Sequence, residues 1–103
     1  FTKRRVQKFL RQARTQGIVG IFGAGHLTVA FVNYLEVSEY VDFVLDDNID
    51  KNGMLLPGTA IPIVSPEEFS QRNVELLLLA VNPHVCETIV KRLQGCLQTK
   101  FKV

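Results

Sequence analysis

Short unbroken apolar runs alternate along the chain with stretches in which apolar residues recur at helical spacing. The runs predict strands at 17–22, 41–45, 61–64 and 75–81, with a last strand over 99–103. The helical spacing predicts helices at 2–16, 26–36 and 82–93. The helix at 26–36 is apolar nearly all round, so we expect its outer side to meet another domain or subunit.

The order of these elements is typical of a sheet whose strands run parallel. Each strand is a continuous apolar run, as in sheets covered on both faces. Ser65, followed by Pro66 and two glutamates, adds a helix start between the third and fourth strands. The pattern predicts one domain overall: a small Rossmann-like three-layer α/β domain at 17–103, preceded by an N-terminal basic amphipathic helix at 1–16.

Charge is distributed unevenly along the chain. Over 103 residues, 12 Lys and Arg against 10 Asp and Glu give a net charge of +2. The first 35 residues contain six basic residues and no acid, and the remainder holds six basic and ten acidic residues. We interpret the basic helix as a solvated face, with phosphate binding as the weaker alternative. We expect no nucleic-acid partner, because the chain as a whole is not strongly basic.

The apolar runs, the cysteines and the first residue indicate where the protein is located and whether the chain is a whole protein. The longest apolar run, Leu76 to Val81, is far shorter than the roughly 20 residues that span a bilayer, so no membrane partner is expected. Cys86 and Cys96 lack Cys-x-x-Cys spacing, which favours reduced thiols, no metal site and a cytoplasmic location. The chain starts with Phe1 and its single methionine is Met54, so we interpret it as a piece of a longer protein.

The candidate site follows the carboxyl ends of the predicted strands, where ligands bind to parallel sheets. Its residues are Gly23, Ala24, Gly25 and His26 after the first strand, Asp46 and Asp47 after the second, and Asn82 and His84 after the fourth. Glycines before a helix let a phosphate approach backbone amides, and an acid 23 residues past Gly23 suits sugar or ribose hydroxyls. Thr28 occupies the place of the third fingerprint glycine, so a tight turn that needs glycine only for geometry stays an alternative.

The sequence contains no complete catalytic set. Methyl-donor sites that bind S-adenosylmethionine often place an acid two residues before the first glycine and a glycine four residues after it. Here Ile21 and Leu27 stand at those positions, so no methyl-donor site is expected in this chain. Neither histidine has an evident nucleophile and acid as partners, and catalytic residues stay unassigned.

A set of motifs lies between Gly23 and Ser65: Asn33, Tyr34, Asp47, Asn48, Lys51, Gly53, and the Pro-Gly-Thr-x-Ile-Pro-Ile stretch at 57–63. At these positions the sequence resembles the C-terminal domain of sugar C-methyltransferases. The likeness covers roughly residues 15–90. The family has a lysine shortly after its turn glycines, where this sequence has His26, Leu27 and Thr28. The N-terminal domains of some sugar acyltransferases are similar at the glycine turn and also hold nucleotide sugars.

The resemblance implies a part of a three-part enzyme with a zinc domain, a central S-adenosylmethionine domain and this C-terminal domain, which helps to hold a nucleotide-linked deoxysugar. We therefore expect a nucleotide-sugar-binding or accessory domain, catalytically inert alone, with neighbouring domains or a second subunit as partners. No cofactor is expected in this domain, and S-adenosylmethionine is implied for the parent protein. The alternatives are an NAD(P)- or nucleotide-binding sensor or oxidoreductase-type module, and a purely structural Rossmann-like interaction domain.

Overall fold

A computed structural model describes residues 2–69, 74–79 and 100–102 of the chain. Its helices are α1 (Lys3–Gln16), α2 (His26–Tyr34) and α3 (Pro66–Phe69), with 3₁₀ turns at Ser38–Tyr40 and Ile49–Lys51. Its strands are β1 (Ile18–Phe22), β2 (Phe43–Leu45), β3 (Ile63–Val64), β4 (Val74–Leu79) and β5 (Lys100–Lys102). The predicted helix at 82–93, with Asn82 and His84, and both cysteines lie outside the described residues.

The strands form one sheet in the order β3-β2-β1-β4-β5, and every neighbouring pair is parallel. This confirms the predicted small Rossmann-like α/β domain. The chain adds β2 and β3 on one side of β1 and then crosses to the other side for β4 and β5. The strand order therefore reverses between β1 and β4, which is where ligands bind in sheets of this kind.

One face of the sheet is covered by α1 and α2. Leu10 of α1 and Val32 of α2 are fully buried in the same cluster as Val19 and Val44 of the sheet. Helix spacing brings Val6 and Ala13 of α1 to the same side as Leu10, and both pack against that cluster. The basic residues of α1 consequently lie on the remaining, exposed side of the helix.

The other face of the sheet depends on a glycine. Gly20 of β1 pairs with Phe43 of β2, and a Cβ on Gly20 would lie 2.5 Å from the Cζ atom of Phe43. The missing side chain lets the Phe43 ring lie across β1, where it is fully buried with Leu45, Val64 and residues of β4. Both faces of the central strands are thus buried, as their unbroken apolar runs predict.

Several element ends differ by one or two residues from the predicted ones, as where β3 begins at Ile63 instead of residue 61, and two of the differences have a clear cause. Strand β2 begins at Phe43 instead of residue 41, because the side chain of Asp42 takes over part of the pairing: its Oδ2 accepts from the Val19 amide at 2.8 Å. Helix α2 ends at Tyr34 instead of residue 36, because Glu36 adopts a left-handed backbone with φ of 53°. The side chain of Gln7 donates to the Leu35 carbonyl at 2.9 Å and holds that end of α2 against α1.

The connection between β2 and β3 contains no α-helix. It doubles back on itself: Leu56 N donates to Ile61 O at 2.8 Å and Ile63 N donates to Met54 O at 2.8 Å. Asn33 of α2 donates to Pro57 O at 3.1 Å and fastens the loop to the helix. The Pro-Gly-Thr-x-Ile-Pro-Ile stretch is therefore largely scaffold for the sheet edge.

Candidate functional site

The turn after β1 is shaped by Gly23. Its φ of 106° lies in a region that residues with a side chain rarely adopt, and its amide donates to Leu45 O of β2 at 2.7 Å. Thr28, fully buried, donates its hydroxyl to the Gly23 carbonyl. The threonine at the third fingerprint position thus braces the turn against α2. That position serves helix–strand packing in dinucleotide sites, so Thr28 does not obstruct a phosphate.

Asp46 joins the turn to the end of β2. Its Oδ2 accepts from the Ala24 amide at 2.7 Å and its Oδ1 accepts from the Asn48 amide at 2.8 Å. A carboxylate offers about four acceptor positions, so two of them are left for a ligand. The predicted acid therefore lies beside the predicted glycine turn, and it also determines the shape of that turn.

Gly25 leaves open space at the start of α2. It is the N-cap residue, with φ of −94° and ψ of −169°, a conformation that any residue can adopt. A Cβ placed there would have no atom within 4 Å. Serine, threonine, aspartate or asparagine would cap the helix better, so the fold itself does not require a glycine here. The amides of Gly25, His26 and Leu27 belong to the helix start, where backbone N–H groups have no partner within the helix.

Lys51 is brought to the same turn from the loop after β2. Its ammonium group donates to Ala24 O at 3.2 Å, and the residue is partly buried. In sequence the two residues are 27 positions apart. Lys51 counts among the positions that carry the family resemblance, but the spacing of the sequence gives no sign that it reaches the glycine turn.

A cleft of about 350 Å³ lies beside the turn. Its lining contains Asp46, Asp47, Ile49, Asn52, Ser65, Pro66 and Glu67. Among the described residues the lining is acidic and includes no basic side chain and no residue of the glycine turn, so this part of the cleft suits a neutral group with many hydroxyls better than a phosphate. Asn52 joins it from the β2–β3 connection and Ser65 from the position between β3 and α3. Neither residue is among the site residues predicted from the sequence.

The structure brings six of the candidate site residues to one edge of the sheet. Gly23, Ala24, Gly25 and His26 follow β1, and Asp46 and Asp47 follow β2. Within the three described stretches, no three His, Cys, Asp or Glu side chains are grouped to hold a metal ion. The helices of those stretches include none long and apolar enough to cross a bilayer.

Comparisons with known proteins agree with this fold. A crystal structure of RSP, a Rex-family repressor, superposes with a TM-score of 0.58 at 17% sequence identity. The likeness covers 82% of this chain but 45% of the repressor, so this chain spans less than half of that protein's length. At this identity the likeness shows the fold alone. A comparison with curated protein sequences found no match. Residues 1–103 match the family described as the C-methyltransferase C-terminal domain, and the chain belongs to that family.

Proposed function

We propose that this domain holds the nucleotide-linked sugar of an S-adenosylmethionine-dependent C-methyltransferase and does not itself bind the methyl donor. The observation that carries the proposal is the open space at Gly25, at the start of a helix and beside the carboxylate of Asp46. Membership of the family supports the enzyme class. The alternative reading of the turn, as glycine needed only for geometry, accounts for Gly23 but leaves Gly25 unexplained.

The diphosphate of such a ligand fits the start of α2. Phosphates bind at helix N-termini because the amides point outward and the helix dipole is positive there. The Ala24 amide is occupied by Asp46, so the amides of Gly25, His26 and Leu27 are the donors left for the ligand. With glycine at position 25, a phosphate oxygen can approach the backbone closely.

Hydroxyl groups of the ligand fit the acidic cleft. The two remaining acceptor positions of Asp46, together with Asp47, suit the hydroxyls of a ribose or a sugar ring, and the Ser65 hydroxyl of the same lining can donate or accept. A further phosphate in the cleft would be repelled by the carboxylates of Asp46, Asp47 and Glu67. The site would therefore take the phosphates at the turn and the neutral ring beside them.

The chemistry itself belongs to the rest of the parent protein in this proposal. S-adenosylmethionine supplies the methyl group when bound to another domain, and this domain orients the acceptor sugar. Leu27 and Tyr34 of α2 are 70% and 81% exposed, which supports contact with a neighbouring domain or a second subunit. We expect the protein to act in the cytoplasm, without a nucleic-acid or membrane partner.

A nucleotide-binding module of another kind is the second candidate. The contact between Asp46 and the glycine turn favours it, since dinucleotide sites also place an acid at the end of the second strand. NAD would use the same amides and the same acid. The two candidates differ in the ligand that binds more tightly, which one titration series can decide.

Calorimetric titration of the chain tests the proposal. UDP-glucose and dTDP-glucose serve as nucleotide sugars, with NAD and S-adenosylmethionine as competing ligands. We expect heat from the nucleotide sugars and none from S-adenosylmethionine. Tighter binding of NAD would favour the second candidate. The absence of heat with every ligand at millimolar concentration would overturn both and leave a structural domain.

A matched pair of variants separates binding from folding. Gly25→Asp introduces a good N-cap, so the helix keeps its stability, but the added carboxylate repels a phosphate at the same place. Thr2→Asp makes the same kind of change at the N-cap of α1, whose neighbour Lys3 pairs with Glu36 beyond the opposite end of α2. We expect Gly25→Asp to abolish binding with an unchanged melting temperature and Thr2→Asp to bind normally. Equal binding by both variants would contradict the assignment of the turn.

A further inference from the structure

Lys51 extends from a loop whose backbone is held at both ends. The Asn48 amide donates to Asp46, and the Asn48 side chain accepts from the Asp50 amide at 3.0 Å. At the far end the Gly53 amide donates to Ile63 O at 3.0 Å. The base of the Lys51 side chain is therefore fixed relative to β2 and β3, and its ammonium group reaches Ala24 from a defined direction.

The charge of Lys51 has no direct counter-ion among the described residues. The ion pairs found there join Lys3 to Glu36 and Arg14 to Asp42. An ammonium group has three N–H donors, and the Ala24 carbonyl takes one of them. Lys51 therefore lies at the start of α2, where the helix dipole is positive. The first turn of α2 contains no acid that would balance either charge. An anion bound between them would be favourable to both.

We infer that Lys51 recognises the diphosphate of the ligand, an inference that rests on the proposed function. In the free domain its ammonium group donates to the Ala24 carbonyl, and in the complex the remaining N–H donors turn to phosphate oxygens beside Gly25. The loop after β2 thereby makes the site select a phosphate-linked sugar over a free sugar or a nucleoside. The lysine comes from the strand-end loop instead of from the start of α2, where His26 and Leu27 stand.

Titrations with ligands of decreasing charge test this role. Lys51→Gln removes the charge and keeps most of the side-chain length, Lys51→Arg keeps the charge, and Lys8→Gln removes an equivalent charge from the exposed face of α1. We expect Lys51→Gln to weaken UDP-glucose binding at least about tenfold, as for loss of a charge-assisted hydrogen bond, and to leave uridine binding unchanged. Lys51→Arg should restore part of the affinity, and Lys8→Gln should bind like the unaltered chain.

The outcomes separate the two claims. If the unaltered chain binds neither UDP-glucose nor dTDP-glucose, the proposed function fails. If it binds and Gly25→Asp does not, but Lys51→Gln binds as tightly as Lys8→Gln, the role of Lys51 alone is overturned. An equal loss for uridine and UDP-glucose would also overturn it, because the residue would then act on the fold.

A measurement on the unaltered chain gives an independent check if Lys51→Gln does not fold. Inorganic pyrophosphate is titrated into the chain while the ¹H–¹³C signal of the Lys51 ε-methylene is followed. We expect that signal to shift with the amides of Gly25 and His26 along one binding curve, and the Lys8 signal to stay in place. Shifts of the amides without the Lys51 signal would overturn the inference.

Discussion

Two aspartates flank β2, and each accepts a hydrogen bond from the backbone beside it in space. Asp42, before the strand, accepts from the Val19 amide at 2.8 Å. Asp46, after the strand, accepts from the Ala24 amide at 2.7 Å. The same device thus ties β2 to β1 at the amino edge and at the carboxyl edge of the sheet.

The two aspartates differ in what balances their charge. Asp42 is paired with Arg14 of α1 at 3.0 Å, and its side chain is only 22% exposed. Asp46 has a second backbone amide, that of Asn48, in place of a cation. The amino edge is therefore closed by a helix and an ion pair, whereas the carboxyl edge keeps acceptors, an open helix start and the ammonium group of Lys51. We therefore propose that Asp42 serves stability and that Asp46 also serves a ligand.

Asp42→Ala should produce the largest loss of stability. It leaves the Val19 amide in the fully buried strand without an acceptor and Arg14 without its partner, a cost of about 2–3 kcal/mol in the free energy of unfolding. Urea unfolding followed by circular dichroism measures it, with the exposed Asp50→Ala as control. A loss of unfolding free energy no larger than that of the control would show that Asp42 does not stabilise the amino edge.

Gly23→Ala should have the next largest effect. Forcing a side chain into φ of 106° costs about 1–2 kcal/mol. Gly25→Ala, two residues away, should change stability by less than about 0.5 kcal/mol, because its backbone is ordinary and its Cβ meets nothing. Thermal unfolding of both variants checks this. Equal losses would mean that Gly25 is also needed for the fold, and its open space would no longer indicate a ligand.

Asp46→Ala should lower stability by about 1 kcal/mol, less than Asp42→Ala, because no ion pair is lost with it. Its larger effect should be on ligand affinity, which we expect to fall about tenfold or more as a ligand acceptor is lost. Denaturant unfolding and calorimetry with UDP-glucose measure the two effects. Asp42→Ala is titrated under conditions in which it is folded. If it weakens binding as much as Asp46→Ala does, the amino and carboxyl edges of the sheet do not have separate roles.

Lys3→Gln should have the smallest effect. The paired side chains of Lys3 and Glu36 are 49% and 64% exposed. Exposed ion pairs contribute less than about 0.5 kcal/mol to the free energy of unfolding. Arg14→Gln should cost more, about 1 kcal/mol, because its partner Asp42 is largely buried. Chemical unfolding in low and high salt compares them. A larger loss for Lys3→Gln would show that α1 is held mainly at its first turn.

Much of the fold follows from short-range patterns in the sequence. The apolar runs predict the strands because both faces of the central strands are buried, as for Val19 and Phe43. The helix at 3–16 follows from the spacing of Val6, Leu10 and Ala13. Asp46 and the glycine turn can be brought together from the sequence alone, because consecutive parallel strands end at the same edge.

The parts that the sequence does not predict depend on contacts between distant positions. The approach of Lys51 to Ala24 depends on how the loop after β2 folds, and no periodicity encodes it. In the sequence Asp42 is the second residue of a predicted apolar strand, yet its carboxylate accepts from the Val19 amide in place of a backbone carbonyl. Thr28 occupies the position of a fingerprint glycine, yet its hydroxyl stabilises the turn by donating to the Gly23 carbonyl.

Backbone amide signals recorded by ¹H–¹⁵N NMR during a UDP-glucose titration test the separate roles of the two edges most directly. The account predicts saturable shifts at Gly25, His26, Asn48 and Lys51 of the carboxyl edge, with Val19, Asp42 and Phe43 at the amino edge unchanged. Shifts centred on the amino edge or on α1, or no saturable shift at millimolar ligand, would contradict it.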